Sequence, residues 1–160
     1  MKELTIQIKY RQCGYEELSE DERALADAAK EATKSSYAPY SKFNVGAAVQ
    51  LSDNTIVTGC NQENAAYPSG LCAERTALFR AGAEHPEKPV TALAIAAFNE
   101  GNFLSSSITP CGSCRQVLAE TETRYGQPVK VILYGTDYCI VIDGGATDLL
   151  PFCFDEEFLK

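Results

Sequence analysis

The stretch VTALAIAAF at residues 90–98 is an almost unbroken run of apolar residues. Such runs are typical of strands whose two faces are both covered by other parts of the protein, because neither face then has to be polar. The run therefore predicts a central strand inside a layered α/β domain.

Helical patterns lie on both sides of this strand in the sequence. Ser19 and Glu22 form a capping box, which predicts a helix that continues to Lys34. Two more helices are predicted, one over residues 72–80 that closes at Gly82 and one over residues 111–124 that stops at Gly126.

Extended patterns supply the rest of the predicted sheet. Residues 44–64 predict two strands joined by a turn at residues 52–54, and VKVILYG and YCIVID predict two more. A short helix is expected after Pro151. These elements predict one domain over residues 1–160, a three-layer α/β/α sandwich around a mixed sheet of roughly five strands.

The N-terminal residues MKELTIQIKYRQ alternate between apolar and polar side chains. Leu4, Ile6 and Ile8 would lie on one face of a strand with this period. We interpret residues 1–18 as an N-terminal appendage to the domain.

Charge and composition limit the partners that the protein can have. The formal net charge is −8, from 14 Lys and Arg against 22 Asp and Glu. Because no basic stripe is present, nucleic acid is not an expected partner, whereas a small uncharged ligand meets no such barrier.

The chain has no apolar run of membrane-spanning length, no signal-peptide pattern and an odd number of cysteines, seven. We therefore expect a cytoplasmic protein with reduced thiols and no membrane partner.

Three cysteines stand at predicted helix starts: Cys72, Cys111 and Cys114. The positive end of a helix dipole favours thiolates, which are the metal-binding form of cysteine. Three thiolates would leave the fourth position of a tetrahedral zinc ion open, as in a catalytic site. Glu74 is two residues from Cys72, and it can reach a ligand beside a metal that lies over the helix end.

Other interpretations of these residues remain open on this reasoning. Cys111 and Cys114 alone can be two buried thiols or a redox pair. Arg75 can donate a hydrogen bond to a thiolate or be a surface helix residue. His85, the only histidine, is interpreted as a solvated loop residue, with a fourth metal ligand as its alternative.

The pattern of CAE at 72–74 followed by PCGSC at 110–114 resembles the zinc-dependent cytidine deaminases, in the homotetrameric type with three cysteine ligands. The resemblance covers roughly residues 20–155. It includes SYAPYSKFNVGAAV at 36–49, GCNQENAAYPSGLCAERTAL at 59–78, PCGSCRQVLAE at 110–120 and LLPFCF at 149–154.

This resemblance implies hydrolytic deamination of cytidine and deoxycytidine to uridine and deoxyuridine, a reaction of pyrimidine salvage. It implies one Zn²⁺ per subunit, held by Cys72, Cys111 and Cys114. An activated water attacks C4 of the pyrimidine. Glu74 takes the proton of that water, delivers it to N3, and later protonates the departing ammonia.

The resemblance also implies a set of substrate contacts. Asn61 and Glu63, which share a face of a predicted strand, correspond to an Asn-x-Glu pattern that binds the ribose 3′-hydroxyl. Phe43 corresponds to an aromatic wall against the pyrimidine, although a core position is its alternative. The backbone of Ala73 would bond the edge of the base. The negative charge of Glu63 argues against a phosphorylated substrate.

Phe154 resembles a residue that enters the pocket of a neighbouring subunit, with Phe152 as the alternative, and this implies a homotetramer with shared active sites. Three other functions are alternatives to this one. They are deamination of another pyrimidine nucleoside such as a nucleoside antibiotic, a non-catalytic protein stabilised by zinc, and a polynucleotide deaminase. The last would need a basic face and usually a His-x-Glu motif.

The remaining cysteines are expected to be buried thiols: Cys13, Cys60, Cys139 and Cys153.

Overall fold

A computed structural model describes all 160 residues. One mixed sheet of seven strands forms the centre of the fold, in the order β1-β7-β6-β4-β2-β3, with β5 paired to β4. Strands β4 and β6 are parallel and all other pairs are antiparallel. The strands are β1 Arg11–Cys13, β2 Asn44–Leu51, β3 Ile56–Cys60, β4 Val90–Asn99, β5 Asn102–Phe103, β6 Lys130–Leu133 and β7 Cys139–Ile142.

Helices cover both faces of this sheet. They are α1 Glu20–Ala32, α2 Ala73–Glu84, α3 Gly112–Tyr125 and the short α4 Ala146–Leu149. Val49, Leu93 and Ile95 face α2 and α3, whereas Ala48 and Ala94 face α1. Strand β4 is therefore buried on both sides, as its apolar run predicts, and the three-layer α/β/α sandwich is confirmed.

The predicted number of strands, roughly five, is too low. The two additional strands, β1 and β5, have only three and two residues. Strands this short show no periodic pattern, so they are defined by the neighbours with which they pair.

Local signals predicted two helix ends and misplaced a third. The side chains of Ser19 and Glu22 accept hydrogen bonds from each other's backbone N–H groups, which confirms the capping box of α1. Gly126 has φ of 67° and ends α3. The predicted end of α2 at Gly82 is wrong, because the helix continues to Glu84. Glycine costs a helix only about 1 kcal/mol, and burial of Ala81 offsets this cost.

The terminal predictions are confirmed only in part. Of the N-terminal stretch, only Arg11–Cys13 forms a strand, and residues 1–10 have no helix or strand. The short helix expected after Pro151 is a single 3₁₀ turn at Glu156–Leu159. None of the helices is both long enough and apolar enough to span a membrane.

The packing of α2 on β3 positions the beginning of α2. A Cβ atom at Gly59 of β3 would collide with the backbone of Ala73 and Ala77. The absence of a side chain at Gly59 therefore lets α2 lie directly on the sheet, and this contact sets the place of Cys72, the residue that precedes the helix.

Candidate functional site

A cavity of about 830 Å³ lies where the segment after β3, the first turn of α2 and the loop before α3 meet. A volume in this range is typical of sites for small organic ligands. The cavity brings together most of the residues that the sequence analysis singled out: Phe43, Asn61, Glu63, Cys72, Ala73, Glu74, Arg75 and Cys111.

The three predicted ligand cysteines meet beside this cavity, and Cys72 and Cys111 line it. Cys72 is the N-cap residue of α2, Cys111 is the N-cap of α3, and Cys114 lies in the first turn of α3. The Sγ atoms of Cys72 and Cys111 are 3.7 Å apart, and those of Cys111 and Cys114 are 3.4 Å apart. All three sulfur atoms lie within 4.8 Å of one another.

These separations fit a tetrahedral zinc ion. With Zn–S bonds of about 2.3 Å, two sulfur ligands of a tetrahedron are about 3.8 Å apart. Both helices direct their N-terminal ends toward the sulfur atoms, so the helix dipoles favour thiolates there. His85 is excluded as a fourth ligand, because it follows the other end of α2, about 18 Å along the helix from Cys72.

Arg75 lies beside this thiol cluster. Its Nη2 donates a hydrogen bond of 3.7 Å to the Sγ of Cys72, and its Nε is buried without a partner. Hydrogen bonds from the Cys114 thiol and from Arg75 hold the pKa of Cys72 well below its usual value, although burial opposes this shift. Cys72 is therefore prepared to bind a cation as a thiolate.

Glu74 places a carboxyl group next to the thiols. It is only 5% exposed, it is the second residue of α2, and it lines the cavity. Burial raises the pKa of this carboxyl, and the negative charge of Cys72 raises it further. A carboxyl in such surroundings takes up a proton more readily than an exposed carboxyl, which suits a group that has to accept and donate protons.

Asn61 and Glu63 both line the cavity, but they do not lie on a strand as predicted. Strand β3 ends at Cys60, and an isolated bridge of Gln62 to Tyr37 and Leu71 keeps the following residues extended. All four residues from Asn61 to Asn64 line the cavity, so their contact with it comes from the path of this extended segment and not from alternation along a strand.

Both polar atoms of the Asn61 side chain form hydrogen bonds with the backbone at the beginning of β2. Its Oδ1 accepts from the N–H of Val45 at 2.8 Å, and its Nδ2 donates to the carbonyl of Phe43 at 2.9 Å. An amide oxygen can accept a second hydrogen bond and an NH₂ group can donate one more, so Asn61 can hold Phe43 and still contact a ligand.

Glu63 is held by the loop before β2. Its carboxylate accepts hydrogen bonds from the N–H groups of Tyr40 and Ser41, at 2.9 and 3.2 Å, and from the Ser41 hydroxyl. The Ser41 hydroxyl holds the pKa of Glu63 below its ordinary value, and the two backbone N–H groups add to this effect. The carboxylate is therefore ionised and oriented at the mouth of the cavity.

The phenylalanines behave differently from one another. Phe43 is half-buried, lines the cavity and belongs to neither core cluster, which argues against its alternative as a core residue. Phe152 and Phe154 are 88% and 59% exposed and lie outside the cavity of their own chain. Phe154 stacks on Phe158 with ring centroids 5.5 Å apart.

Several residues of the cavity were missed. Tyr40 and Tyr67 meet edge to face at the mouth, and Thr109 and Ile108 form the wall before Cys111. No local pattern marks them, because their positions depend on loops. The four cysteines without a ligand role lie apart from the cluster; Cys139 is buried, and Cys13, Cys60 and Cys153 are half-buried.

Arg115 was also missed, although its side chain forms hydrogen bonds with the loop that leads to Cys111. Its guanidinium donates to the carbonyls of Pro110 and Leu149, each at 2.8 Å, and to the hydroxyl of Thr109 at 3.4 Å. It thereby connects the loop that carries Cys111 to the beginning of the C-terminal tail.

Comparison with known proteins identifies several with similar sequences. Residues 18–126 match the family model described as the cytidine and deoxycytidylate deaminase zinc-binding region. A cytidine deaminase from Sporosarcina psychrophila is 48% identical over 99 residues, which cover 62% of this chain and 68% of that protein. One from Mycobacterium tuberculosis is 42% identical over 113 residues, covering 69% of this chain and 80% of that protein.

Solved structures show the same similarity. The crystal structure of cytidine deaminase from Burkholderia pseudomallei superposes with a TM-score of 0.67 at 41% sequence identity, covering 82% of this chain and 97% of that one. The crystal structure of cytidine deaminase from Mycobacterium tuberculosis superposes with a TM-score of 0.64 at 32% identity, covering 82% and 95%.

Proposed function

Because the chain belongs to the cytidine and deoxycytidylate deaminase family, we propose that it hydrolyses cytidine and deoxycytidine to uridine and deoxyuridine with release of ammonia. The observation that carries this proposal is the convergence of three thiols and one buried carboxyl at the end of a ligand-sized cavity. A zinc-stabilised protein without activity would need neither the carboxyl nor the cavity.

We assign Cys72, Cys111 and Cys114 as the protein ligands of one zinc ion. The sulfur separations suit a tetrahedral site, and three ligands leave one position for solvent. When bound, zinc lowers the pKa of water and so supplies the nucleophile. The N-terminal ends of α2 and α3 and the guanidinium of Arg75 reduce the negative charge that three thiolates bring.

Glu74 is assigned as the proton carrier of the reaction. Its carboxyl accepts a proton from the water and donates it to N3 of the pyrimidine. It then accepts the proton of the hydroxyl now on C4 and donates that proton to the departing amino group. Each transfer needs a group that is protonated and deprotonated with similar ease. The buried position beside the thiols gives Glu74 this property.

The cavity wall supports binding of a nucleoside. Glu63 presents an ionised carboxylate and Asn61 a free donor and acceptor position, so both can bond ribose hydroxyls. Phe43 offers an aromatic surface to the base, and Asn61 holds its backbone in place. Ala73 has no large side chain and begins α2, so its backbone is accessible to the edge of the base.

The proposal is tested with purified protein by the loss of cytidine absorbance and by a zinc count per chain. We expect turnover of cytidine and deoxycytidine with about one zinc ion bound. Protein that binds zinc but turns over neither nucleoside would contradict the proposal, and assays of other pyrimidine nucleosides would then test the alternative substrate class.

Deoxycytidylate is included in this assay because the matching family model covers deaminases of both substrates. We expect kcat/KM for deoxycytidylate to be about 100-fold lower than for deoxycytidine, because a phosphate near Glu63 meets a like charge, which costs several kcal/mol. Lys42 is close enough to lower the pKa of Glu63, but the Ser41 hydroxyl has the largest effect on that carboxyl. Similar kcat/KM values for deoxycytidylate and deoxycytidine would contradict the assignment of a free nucleoside as the substrate.

Arg75→Gln is expected to weaken zinc binding about tenfold and to shift the acidic limb of the pH–rate profile to higher pH. The site then loses a positive charge beside Cys72, so deprotonation of the nucleophile requires a higher pH. Competition with a chelator and the pH profile measure the two effects. Arg80→Gln is the matched control, because Arg80 is an exposed residue of the same helix. Unchanged values in Arg75→Gln would rule out this role.

We propose further that the protein acts as a homotetramer in the cytoplasm. Phe152 and Phe154 are exposed residues of the C-terminal tail, and either ring is available to enter the cavity of a neighbouring subunit. The seven free cysteines suit a reducing compartment. A monomer with full activity at assay concentration would contradict the shared sites.

A further inference from the structure

The N-terminal arm, defined as residues 2–10, has the pattern of a half-buried strand but no partner in the chain. Its apolar side chains alternate with polar ones, yet Leu4, Ile6 and Ile8 are 76%, 54% and 48% exposed. Alternation with period two predicts burial of one face. The protein's own fold leaves about half or more of each of these three side chains exposed.

The arm continues directly from an edge of the sheet. It leads into β1, the last strand of the sheet, which pairs with β7 on one side only. The pairing begins at Arg11, whose guanidinium is bound to the buried carboxylate of Glu22 at 2.8 Å. The base of the arm is therefore held, while both edges of residues 2–10 are free to form strand hydrogen bonds.

The sequence of the arm is complementary to itself in the antiparallel direction. When two arms pair with Ile6 opposite Ile6, Leu4 lies opposite Ile8, and the three apolar residues share one face. On the other face Glu3 lies opposite Lys9, and symmetry makes this pair occur twice. Neither Glu3 nor Lys9 forms an ion pair within the chain, so both are available.

Other alignments of two arms are less favourable. Parallel pairing in register places Glu3 opposite Glu3 and Lys9 opposite Lys9, and like charges in direct opposition are destabilising. Antiparallel pairing centred on Gln7 places Lys9 opposite Thr5 and brings Glu3 to Arg11, which is already bound to Glu22. A shift that pairs even-numbered with odd-numbered residues puts the apolar side chains of the two arms on opposite faces.

We propose that the N-terminal arm associates with the same arm of a second copy of this chain, as an antiparallel strand pair centred on Ile6. The pair joins the two sheets at their β1 edges and places Leu4, Ile6 and Ile8 of the two arms side by side on one face, where they contact one another. This association is independent of the deaminase reaction, because no arm residue lines the cavity.

The register of the pair is tested with single cysteines introduced into the zinc-loaded protein. Oxidised glutathione converts two opposed thiols into a disulfide and is itself reduced to two molecules of glutathione. We expect Ile6→Cys to give a symmetric disulfide between two chains, identified at residue 6 by mass spectrometry. Gln7→Cys is the matched control, since residue 7 lies opposite residue 5. More linkage in Gln7→Cys than in Ile6→Cys would overturn the proposal.

The charge pairs are tested in the Ile6→Cys background. Glu3→Lys creates two Lys–Lys oppositions, and we expect the rate of disulfide formation to fall about fivefold. Adding Lys9→Glu restores two opposite-charge pairs in the reversed order, so the rate is expected to recover. Failure of the double variant to recover, or no more linkage in Ile6→Cys than in the protein with native Ile6, would overturn the proposal.

Discussion

Replacing Glu74 by glutamine is expected to lower turnover of cytidine by about 10³- to 10⁴-fold while about one zinc ion per chain remains. Glutamine has nearly the same shape, but its amide cannot take up and release a proton. Because Glu74 is not one of the three sulfur ligands, the metal site keeps its donors. The prediction is measured by single-turnover and steady-state rates together with the zinc content.

A matched control for this variant lies on the same helix. Glu84→Gln changes an exposed carboxylate that is paired with Arg80, and it is expected to leave the rate unchanged. Exposed pairs of this kind contribute little to stability. If Glu74→Gln kept more than about a tenth of the activity, proton transfer would have to come from another group. If it lost its zinc, Glu74 would be a ligand instead of a proton carrier.

Replacing Cys114 by serine is expected to reduce bound zinc from about one ion per chain to near zero and to abolish activity. The thiol of Cys114 is buried in the first turn of α3, where the hydroxyl of serine is a poorer zinc ligand and reaches less far. The stability that zinc gives to the folded state should be lost with it. That contribution is about 4 kcal/mol at a zinc concentration 1,000 times the dissociation constant.

The measurement for this variant is the zinc content together with Tm, with and without added zinc. The wild-type protein should show a zinc-dependent rise in Tm, and Cys114→Ser should not. Cys153→Ser is the control, because Cys153 is a half-buried thiol outside the cluster. A Cys114→Ser protein that retains a full zinc complement would remove Cys114 from the ligand set.

Two cavity residues illustrate what sequence similarity leaves open. The resemblance predicted a ribose contact for Asn61, and the structure adds that this side chain already connects the beginning of β2 to the segment after β3. Replacing Asn61 would therefore also disturb Phe43. A change in KM on replacing Asn61 would therefore combine any lost ligand contact with a displacement of Phe43.

The sequence by itself determined the features that depend on residues close to one another along the chain. The capping box of Ser19 and Glu22, the buried strand β4 and the end of α3 at Gly126 are each encoded within a few residues. The same holds for the location of the three cysteines at helix starts. A helix dipole and the spacing of a short motif act locally, so the pattern predicts a zinc site before any fold is known.

Only the tertiary structure decided the features that depend on contacts between distant segments. These are the order of the seven strands, the short strands β1 and β5, the continuation of α2 past Gly82, and the contact of Arg75 with Cys72. The three residues of β1 form a strand only because they pair with β7. Gly82 stays helical because α2 is buried against the sheet. Since these energies come from neighbours far away in the chain, no local pattern contains them.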